Sequence, residues 1–405
     1  MYIQRTSETE IRKYLEKREI IAIVGPRQCG KTTLLKQLFE GLSDAIFLDF
    51  EDRTLVALFT EDIKAFIELY VKPYKYLFID EFQYAKKGGQ ALKFIYDNHP
   101  IKIIISGSSI SDLSVQGIKY LVGRIFVFNL YPFSFEEFLQ YKDPKLLMLV
   151  HRETTQTQVI MDMVLPYMEE FCRYGGYPRV VMASTHEEKE TILHNIYNTY
   201  LLKEIRDILM LPDDFKLSKL MNALALRMSS LTKYHELSAI VGMQYLELQR
   251  NINVLEKTFV IRRSRPFFTN KGVELVKEPK VFFIDNGFRN SIIKDFRPLN
   301  QRSDKGELYE NFVATELMKK GHDLKFWRTK SKAEVDFIVE HQGQVIPLEI
   351  KSHLKITTFS KSYASFLDKY KPKKGYILAE AFWDDKKMIH FRPIYMAGKI
   401  FDRVN

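Results

Sequence analysis

Through its first 140 residues the chain alternates short apolar runs with amphipathic stretches. The runs Ile20–Val24, Ala45–Asp49, Tyr76–Asp80, Ile101–Ser106 and Ile125–Leu130 have the length of strands, and the stretches between them repeat apolar residues at helical spacing. This rhythm predicts an α/β fold, a parallel sheet with helices on both faces. From about 141 to 215 the pattern turns helical, with a long helix expected over Thr191–Leu209 and a turn at Gly175-Gly176-Tyr177-Pro178. Residues 216–280 predict a small helical unit ending in a basic hairpin, and strands return from about 281. The polar stretch His151–Gln158 is expected on the surface as a loop. Four domains follow from these shifts: 1–140, 141–215, 216–280 and 281–405.

The sharpest alternation lies near the C-terminus, from Ala333 to Lys351, around the two-residue turn Gln342-Gly343. A tight turn there pairs positions whose numbers sum to 685, so Phe337 faces Leu348, Val339 faces Ile346 and Val335 faces Ile350. Both strands then share one apolar face, which fixes the register. The same register sets Asp336 against Glu349, with Lys351 on the same face. Opposed carboxylates repel across a ladder. A divalent cation would remove the conflict, and two hard oxygen donors suit Mg²⁺.

Composition changes this picture little. Of 405 residues, 46% are hydrophobic and 28% charged, the mixture of a soluble globular chain. The net charge of +10 admits an acidic polymer such as DNA as partner, although lysines scattered over solvated helices give the same total. Two cysteines, Cys29 and Cys172, exclude a disulfide scaffold and fit a reducing compartment. No run approaches the roughly 18 apolar residues of a membrane span, so a cytoplasmic protein with no membrane partner is expected.

One loop carries chemistry that the apolar pattern alone does not explain. Gly25-Pro26-Arg27-Gln28-Cys29-Gly30-Lys31-Thr32-Thr33 joins an apolar run to a helical one, as G-x-x-x-x-G-K-T. Glycines let the backbone wrap a polyphosphate, and the N–H groups at a helix start attract it. Lys31 is then placed for the terminal phosphates of ATP and Thr32 for Mg²⁺. About fifty residues on, Tyr76-Leu77-Phe78-Ile79 ends in Asp80-Glu81. The first acid is expected to anchor Mg²⁺ and the second to polarise water. Ser106, in Ser106-Gly107-Ser108-Ser109, ends another strand and is a candidate γ-phosphate sensor, or simply part of a turn. Arg124 is a candidate cation for the transferring phosphoryl group, from within the chain or from a neighbouring subunit of a homo-oligomer, or else a surface residue.

The ordered set G-P-R-Q-C-G-K-T-T-L-L, I-D-E-F-Q, S-G-S-S, G-R-I and Y-P-F-S-F-E-E-F resembles the prokaryotic AAA-type predicted ATPases with a C-terminal domain of unknown function 4143. The resemblance covers nearly the whole chain. It implies a P-loop ATPase with Glu81 as base and Ser106 as sensor. Cys29 stands where a small apolar residue is expected, and should pack as well.

Beyond the loop, Leu231–Ile240, the turn Val241-Gly242-Met243 and Gln244–Glu256 spell helix–turn–helix, with Thr232 as cap and Leu246, Leu248, Ile252 and Leu255 as the apolar face of the second helix. The basic run Phe259–Phe268 resembles the wing of a winged helix. Gln244, Gln249 and Arg250 would then face DNA bases, with Arg262, Arg263 and Arg265 on phosphate; a spacer that meets the ATPase or a partner protein is the alternative.

Asp336, Glu349 and Lys351 resemble the core of the PD-(D/E)xK restriction-endonuclease-like fold. That resemblance implies a further glutamate on a preceding helix, Glu310, with Glu307 one turn earlier. Lys351 would orient the attacking water, and Lys355, Lys361, Lys369, Lys371, Lys373 and Lys374, with Lys325, Arg328, Lys330 and Lys332, would face the phosphate backbone. Two functions stay open: an ATPase controlling a metal-dependent nuclease on DNA, and an ATP-dependent switch whose nuclease-like half cuts nothing.

Overall fold

The computed structural model describes residues 2–86, 88–108, 120–152, 156–211, 214–270, 272, 274 and 277–402. Ser109 of the serine-rich turn lies outside them. The chain forms two compact units, Met1–Phe133 with Lys257–Phe259 and Ser134–Glu256 with Val260–Asn405. Among the described residues, the strands form one sheet of five and one of eight. No helix among them is long and apolar enough to cross a membrane.

The first unit holds β1 (Ile20–Val24), β2 (Ala45–Asp49), β3 (Tyr76–Asp80), β4 (Lys102–Gly107) and β5 (Ile125–Asn129), in the order β2-β3-β4-β1-β5. The pairings β1–β4, β1–β5, β2–β3 and β3–β4 are all parallel. Period-two alternation sorts β1 between two cores. Ile21 and Ile23 pack with Leu34, Leu35 and Leu38 of the helix Lys31–Phe39, while Ile20, Ala22 and Val24 pack with Phe50, Phe59, Phe82 and Leu92. A strand buried on both faces has no polar position to spare, which is why it reads as a continuous apolar run.

The second unit begins with Ser134, whose hydroxyl accepts from the Glu137 amide while the Glu137 carboxylate accepts from Ser134 N, a capping box on the helix Phe135–Lys142. Phe135, Phe171 and Phe312 then meet edge to face, with centroids 5.6–5.8 Å apart. The expected helix over 191–209 is real but interrupted, with a π-helical turn at Ile196–Leu201 between two α-helical segments. The expected loop at 151–158 is shorter than its polarity suggests. His151 and Arg152 finish a helix, Gln156 is buried, and 153–155 lie outside the described residues.

The eight-stranded sheet runs β12 (Asp384–Lys386), β13 (Ile389–Pro393), β11 (Gly375–Ala379), β10 (Gln344–Lys351), β9 (Glu334–His341), β8 (Leu324–Arg328), β6 (Ile261–Pro266) and β7 (Lys280–Phe283). The predicted hairpin register holds from His341↔Gln344 to Phe337↔Leu348. Gln342 and Gly343 both take positive φ, 49° and 73°, as a tight two-residue hairpin turn requires. Past Leu348 the ladder gives way to a side chain: the Ile350 amide donates to the Asp336 carboxylate at 2.7 Å. Asp336 thus meets backbone, and the expected extension to Val335 opposite Ile350 is replaced.

Three expectations about 231–268 need correction. The first helix is Tyr234–Val241, capped by Lys233, because Thr232 is buried and its amide bonds Pro279 O at 2.8 Å. In the second helix, Tyr245–Lys257, Leu248, Asn251, Ile252 and Leu255 face inward, and Leu246 is 76% exposed. The basic run forms no free wing. It is β6, antiparallel to β7 and parallel to β8 through Arg265↔Lys325, inside the large sheet.

Candidate functional site

β1 feeds directly into the glycine-rich loop. A Cβ on Gly25 would lie 2.0 Å from Leu130 O, and Gly30 takes φ 99°, so each position demands glycine. Pro26 and Cys29 are buried, Arg27 and Gly30 half-buried, and Gln28 exposed at φ 57°. The Cys29 thiol sits 3.4 Å from Leu130 O, and burial pushes its pKa up, so it behaves as the small apolar residue expected there. Lys31 opens the following helix, and its buried Nζ donates to Gly25 O and Pro26 O, both at 3.1 Å. Thr32 is half-buried beside it and Thr33 is exposed.

The acids stand at the same end of the sheet. β4 lies between β1 and β3, with Ile23 paired to Ser106 and Val24 to Gly107. The Ser106 hydroxyl donates to the buried Asp80 carboxylate, and Glu81 N donates to Asp80 Oδ1 at 3.1 Å and Ser106 Oγ at 3.3 Å. These bonds hold Glu81 at φ 54°, a left-handed conformation that costs a non-glycine residue about 1–3 kcal/mol. Gln83 also grips this acid: its Nε2 donates to the Glu81 carboxylate, and its Oε1 accepts from Ser108 N at 3.3 Å. Thr32 and Asp80 offer the hydroxyl and carboxylate oxygens that Mg²⁺ takes in such sites, so the donor set fits.

Two contributors escaped the sequence. Arg5 is buried, and its guanidinium donates to Cys29 O at 2.9 Å and Tyr131 O at 2.6 Å, bracing the loop from a helix 24 residues away. Nothing around Arg5 marks it. Gln83 was within reach, since it follows Glu81 by two residues in I-D-E-F-Q.

Arg124 is misplaced for its expected in-chain role. Its carbonyl accepts from Ile20 N at 2.8 Å, so it stands at the start of β1 and the loop at the end, about 16 Å away at 3.3 Å per residue. Its guanidinium pairs with Asp97 at 2.8 Å. At concentrations that keep chains apart, Arg124→Ala should hydrolyse ATP within about twofold of wild type, since exposed pairs contribute 0–1 kcal/mol. A tenfold loss that persists on dilution would contradict this placement.

In the second unit two of the expected metal ligands, Glu310 and Glu349, face lysines, and Asp336 faces a backbone amide. Glu310, on the helix Lys305–Lys319, and Glu334 of β9 flank Lys280 of β7, whose Nζ lies 3.7 Å from one and 2.5 Å from the other. The Glu349 carboxylate pairs with Lys351 at 2.6 Å and accepts from the Ser360 hydroxyl at 3.1 Å. Burial, reinforced by Asp336 and opposed by Lys280, pushes Glu310 up to about 8. Burial raises Asp336 to about 6 against the pull of Lys280 and the Ile350 amide. Among the described residues no three His, Cys, Asp or Glu side chains are grouped to hold a metal ion. The set Glu310, Asp336 and Glu349 therefore does not fit the shared metal, because a lysine sits among the acids.

The basic surface also shrinks. Arg263 is engaged by Glu256 at 2.8 Å and Asn253 at 2.7 Å, Lys325 is buried against Glu274 at 3.0 Å, and Arg328 pairs with Glu334 at 2.7 Å. Arg262, Lys330, Lys332, Lys355, Lys361, Lys369, Lys371 and Lys373 are exposed. Phe267, just past β6, packs edge to face on Tyr370 at 5.4 Å, so β6 ends beside the helix Lys361–Tyr370.

Comparison with known proteins agrees with the first unit. Residues 17–139 match the AAA domain family model. The N-terminal part of this chain is thus similar to an AAA domain. Beyond the AAA domain, residues 166–299 match domain of unknown function 8612, and 305–389 match domain of unknown function 4143. An uncharacterized protein of Haemophilus influenzae is 25% identical over 353 residues, covering 82% of each chain. One from Methanocaldococcus jannaschii is 24% identical over 348 residues, 79% of this chain and 72% of its own. Among solved structures, the Walker-type ATPase paby2304 of Pyrococcus abyssi aligns with a TM-score of 0.46 at 16% identity, over 72% of this chain and 96% of its own. The Aeropyrum pernix Orc1 protein in complex with DNA aligns with a TM-score of 0.30 at 12% identity, over 72% of this chain and 93% of its own.

Proposed function

We propose that the AAA domain binds and hydrolyses ATP, and that its nucleotide state governs how the second unit engages DNA. The observation that carries the first half is the bonded set Asp80–Ser106–Glu81 at the same end of the sheet as the loop that leads into Lys31 and Thr32. Loop amides and the Lys31 ammonium hold the β- and γ-phosphates. Thr32 and Asp80 would hold Mg²⁺, which would supply positive charge beside the phosphates. Glu81 accepts the proton of the attacking water, and Ser106, joined to Asp80, registers the γ-phosphate. Phosphate release by the purified chain tests this. Lys31→Ala should lose ATP binding, because it removes the cation inside the loop that reaches the terminal phosphates; unchanged ATP affinity would refute the assignment.

The support for DNA is the set of exposed cations Arg262, Lys330, Lys332, Lys355, Lys361, Lys369, Lys371 and Lys373 in a chain of net charge +10. Its individual arginines differ. Arg262→Ala should lower the salt slope of DNA binding by about one, the effect of a lost phosphate contact. Arg263→Ala should leave that slope alone and destabilise the fold, since Glu256 and Asn253 already hold its guanidinium. Fluorescence anisotropy across a salt series separates the two, and equal slopes for both variants would place the footprint elsewhere. For the C-terminal acids, the lysine among them favours engagement without cutting.

A further inference from the structure

We propose that Lys280 is the resident cation of the C-terminal acidic cluster, so that this nuclease-like site holds no divalent metal and cuts no DNA. The proposal rests on Asp336, Glu349 and Lys351 being a nuclease-like motif, and is independent of ATP hydrolysis.

Position argues first. Lys280 opens β7, a strand otherwise of Val281, Phe282 and Phe283, and its backbone is tied to Ser264 of β6 and to Leu231. Its side chain is 4% exposed, lies 5.5 Å from the centroid of the Phe326 ring and ends between Glu310 and Glu334. A charged side chain this buried has no solvent to escape into, and it stays because the acids surround it.

Accounting for the acids argues second. Glu334 has Lys280 at 2.5 Å and Arg328 at 2.7 Å. Asp336 accepts from Ile350 N at 2.7 Å, and Glu349 is held by Lys351 and Ser360. Glu310 Oε2 is buried without a hydrogen-bond partner among the described residues, and Lys280 Nζ is 3.7 Å from it. Mg²⁺ needs oxygens at about 2.0–2.1 Å in near-octahedral array. Bringing Glu310 and Asp336 onto one ion would set a dication against a buried ammonium, and that repulsion removes the gain. Lys351, paired with Glu349 at 2.6 Å, keeps 38% of its side chain exposed.

The test uses the full-length, nucleotide-free chain and Mn²⁺ as probe, titrated by electron paramagnetic resonance, with supercoiled plasmid as a second readout. The Mn²⁺ attributable to the cluster is whatever Asp336→Asn removes. Wild type and Lys280→Arg should show none, and plasmid should stay supercoiled. Lys280→Met should take up one Mn²⁺ per chain where wild type takes up none, lost again in Lys280→Met/Asp336→Asn. If Lys280→Met folds and gains no Mn²⁺, lysine is not what excludes the metal and the proposal fails. If it does not fold, wild type against Asp336→Asn decides: Mn²⁺ uptake or plasmid nicking that Asp336→Asn abolishes overturns the proposal, and their absence supports it. ATP turnover, measured on the same samples, reports separately on the AAA domain.

Discussion

Glu81→Gln is expected to bind ATP as tightly as wild type and to lose hydrolysis by about 10²–10⁴-fold, the contribution of a positioned general base. The substitution is nearly isosteric. It leaves Asp80 and Ser106 bonded, and the two bonds from the Glu81 amide are made by backbone, so the left-handed turn survives. Lost with it is the oxygen able to take a proton from water. Gln83 provides an internal check, because its Nε2 would then face an amide that offers oxygen in only one of two orientations. Single-turnover hydrolysis beside equilibrium binding of a fluorescent ATP analogue measures both quantities. Turnover at the wild-type rate would remove Glu81 from the chemistry.

Asp304→Ala should destabilise the second unit by about 3–5 kcal/mol, the cost of breaking a buried ion pair by deleting one partner. Asp304 serves two buried cations, Arg289 at 2.5 Å and Arg302 at 2.8 Å, the latter with a fully buried side chain. Burial raises the Asp304 carboxyl, but Arg302 and Arg289 outweigh it and hold the group well below the usual carboxylate range. Burial also pulls Arg289 below its ordinary value, and the Asp304 carboxylate opposes that pull, so deleting it leaves a buried guanidinium without its counter-ion. The pH dependence follows: this stability is complete above the unfolded carboxylate value of about 3.9 and is lost as pH falls through the lower folded one. Both tryptophans, Trp327 and Trp383, belong to the second unit, so their fluorescence in urea reads this transition. A midpoint unchanged in Asp304→Ala would contradict the shared-carboxylate account.

The five strands of the first sheet were legible because each is a short apolar run, buried in β1, β3 and β4 and only partly so at the edge strands β2 and β5, and the loop because its chemistry needs fixed residues at fixed spacing. The hairpin register was legible for the same reason, two alternations that agree. What sequence missed came from distant pairing. β6 looked like a wing because Arg262, Arg263 and Arg265 look solvated, yet the strand pairs in parallel with the distant β8 through Arg265 and Lys325, and the nearby Glu256 claims Arg263. Arg124 was a candidate cation for the phosphoryl group or a surface residue, and its place beside Ile20 sets it at the far end of β1 from the loop of its own chain. Lys280 gave one weak sign, a lone charge heading an apolar strand, and its acid partners stand 30 and 54 residues further on.

The central claim is that nucleotide state governs DNA engagement, and DNA affinity of Glu81→Gln at one salt concentration tests it most directly. Measured by fluorescence anisotropy with ATP and Mg²⁺, with ADP and Mg²⁺, and without nucleotide, the ATP and ADP values should differ at least tenfold, a coupling of about 1.4 kcal/mol. The difference should vanish in Lys31→Ala. Equal affinities in all three conditions, with ATP binding verified on the same sample, would contradict it.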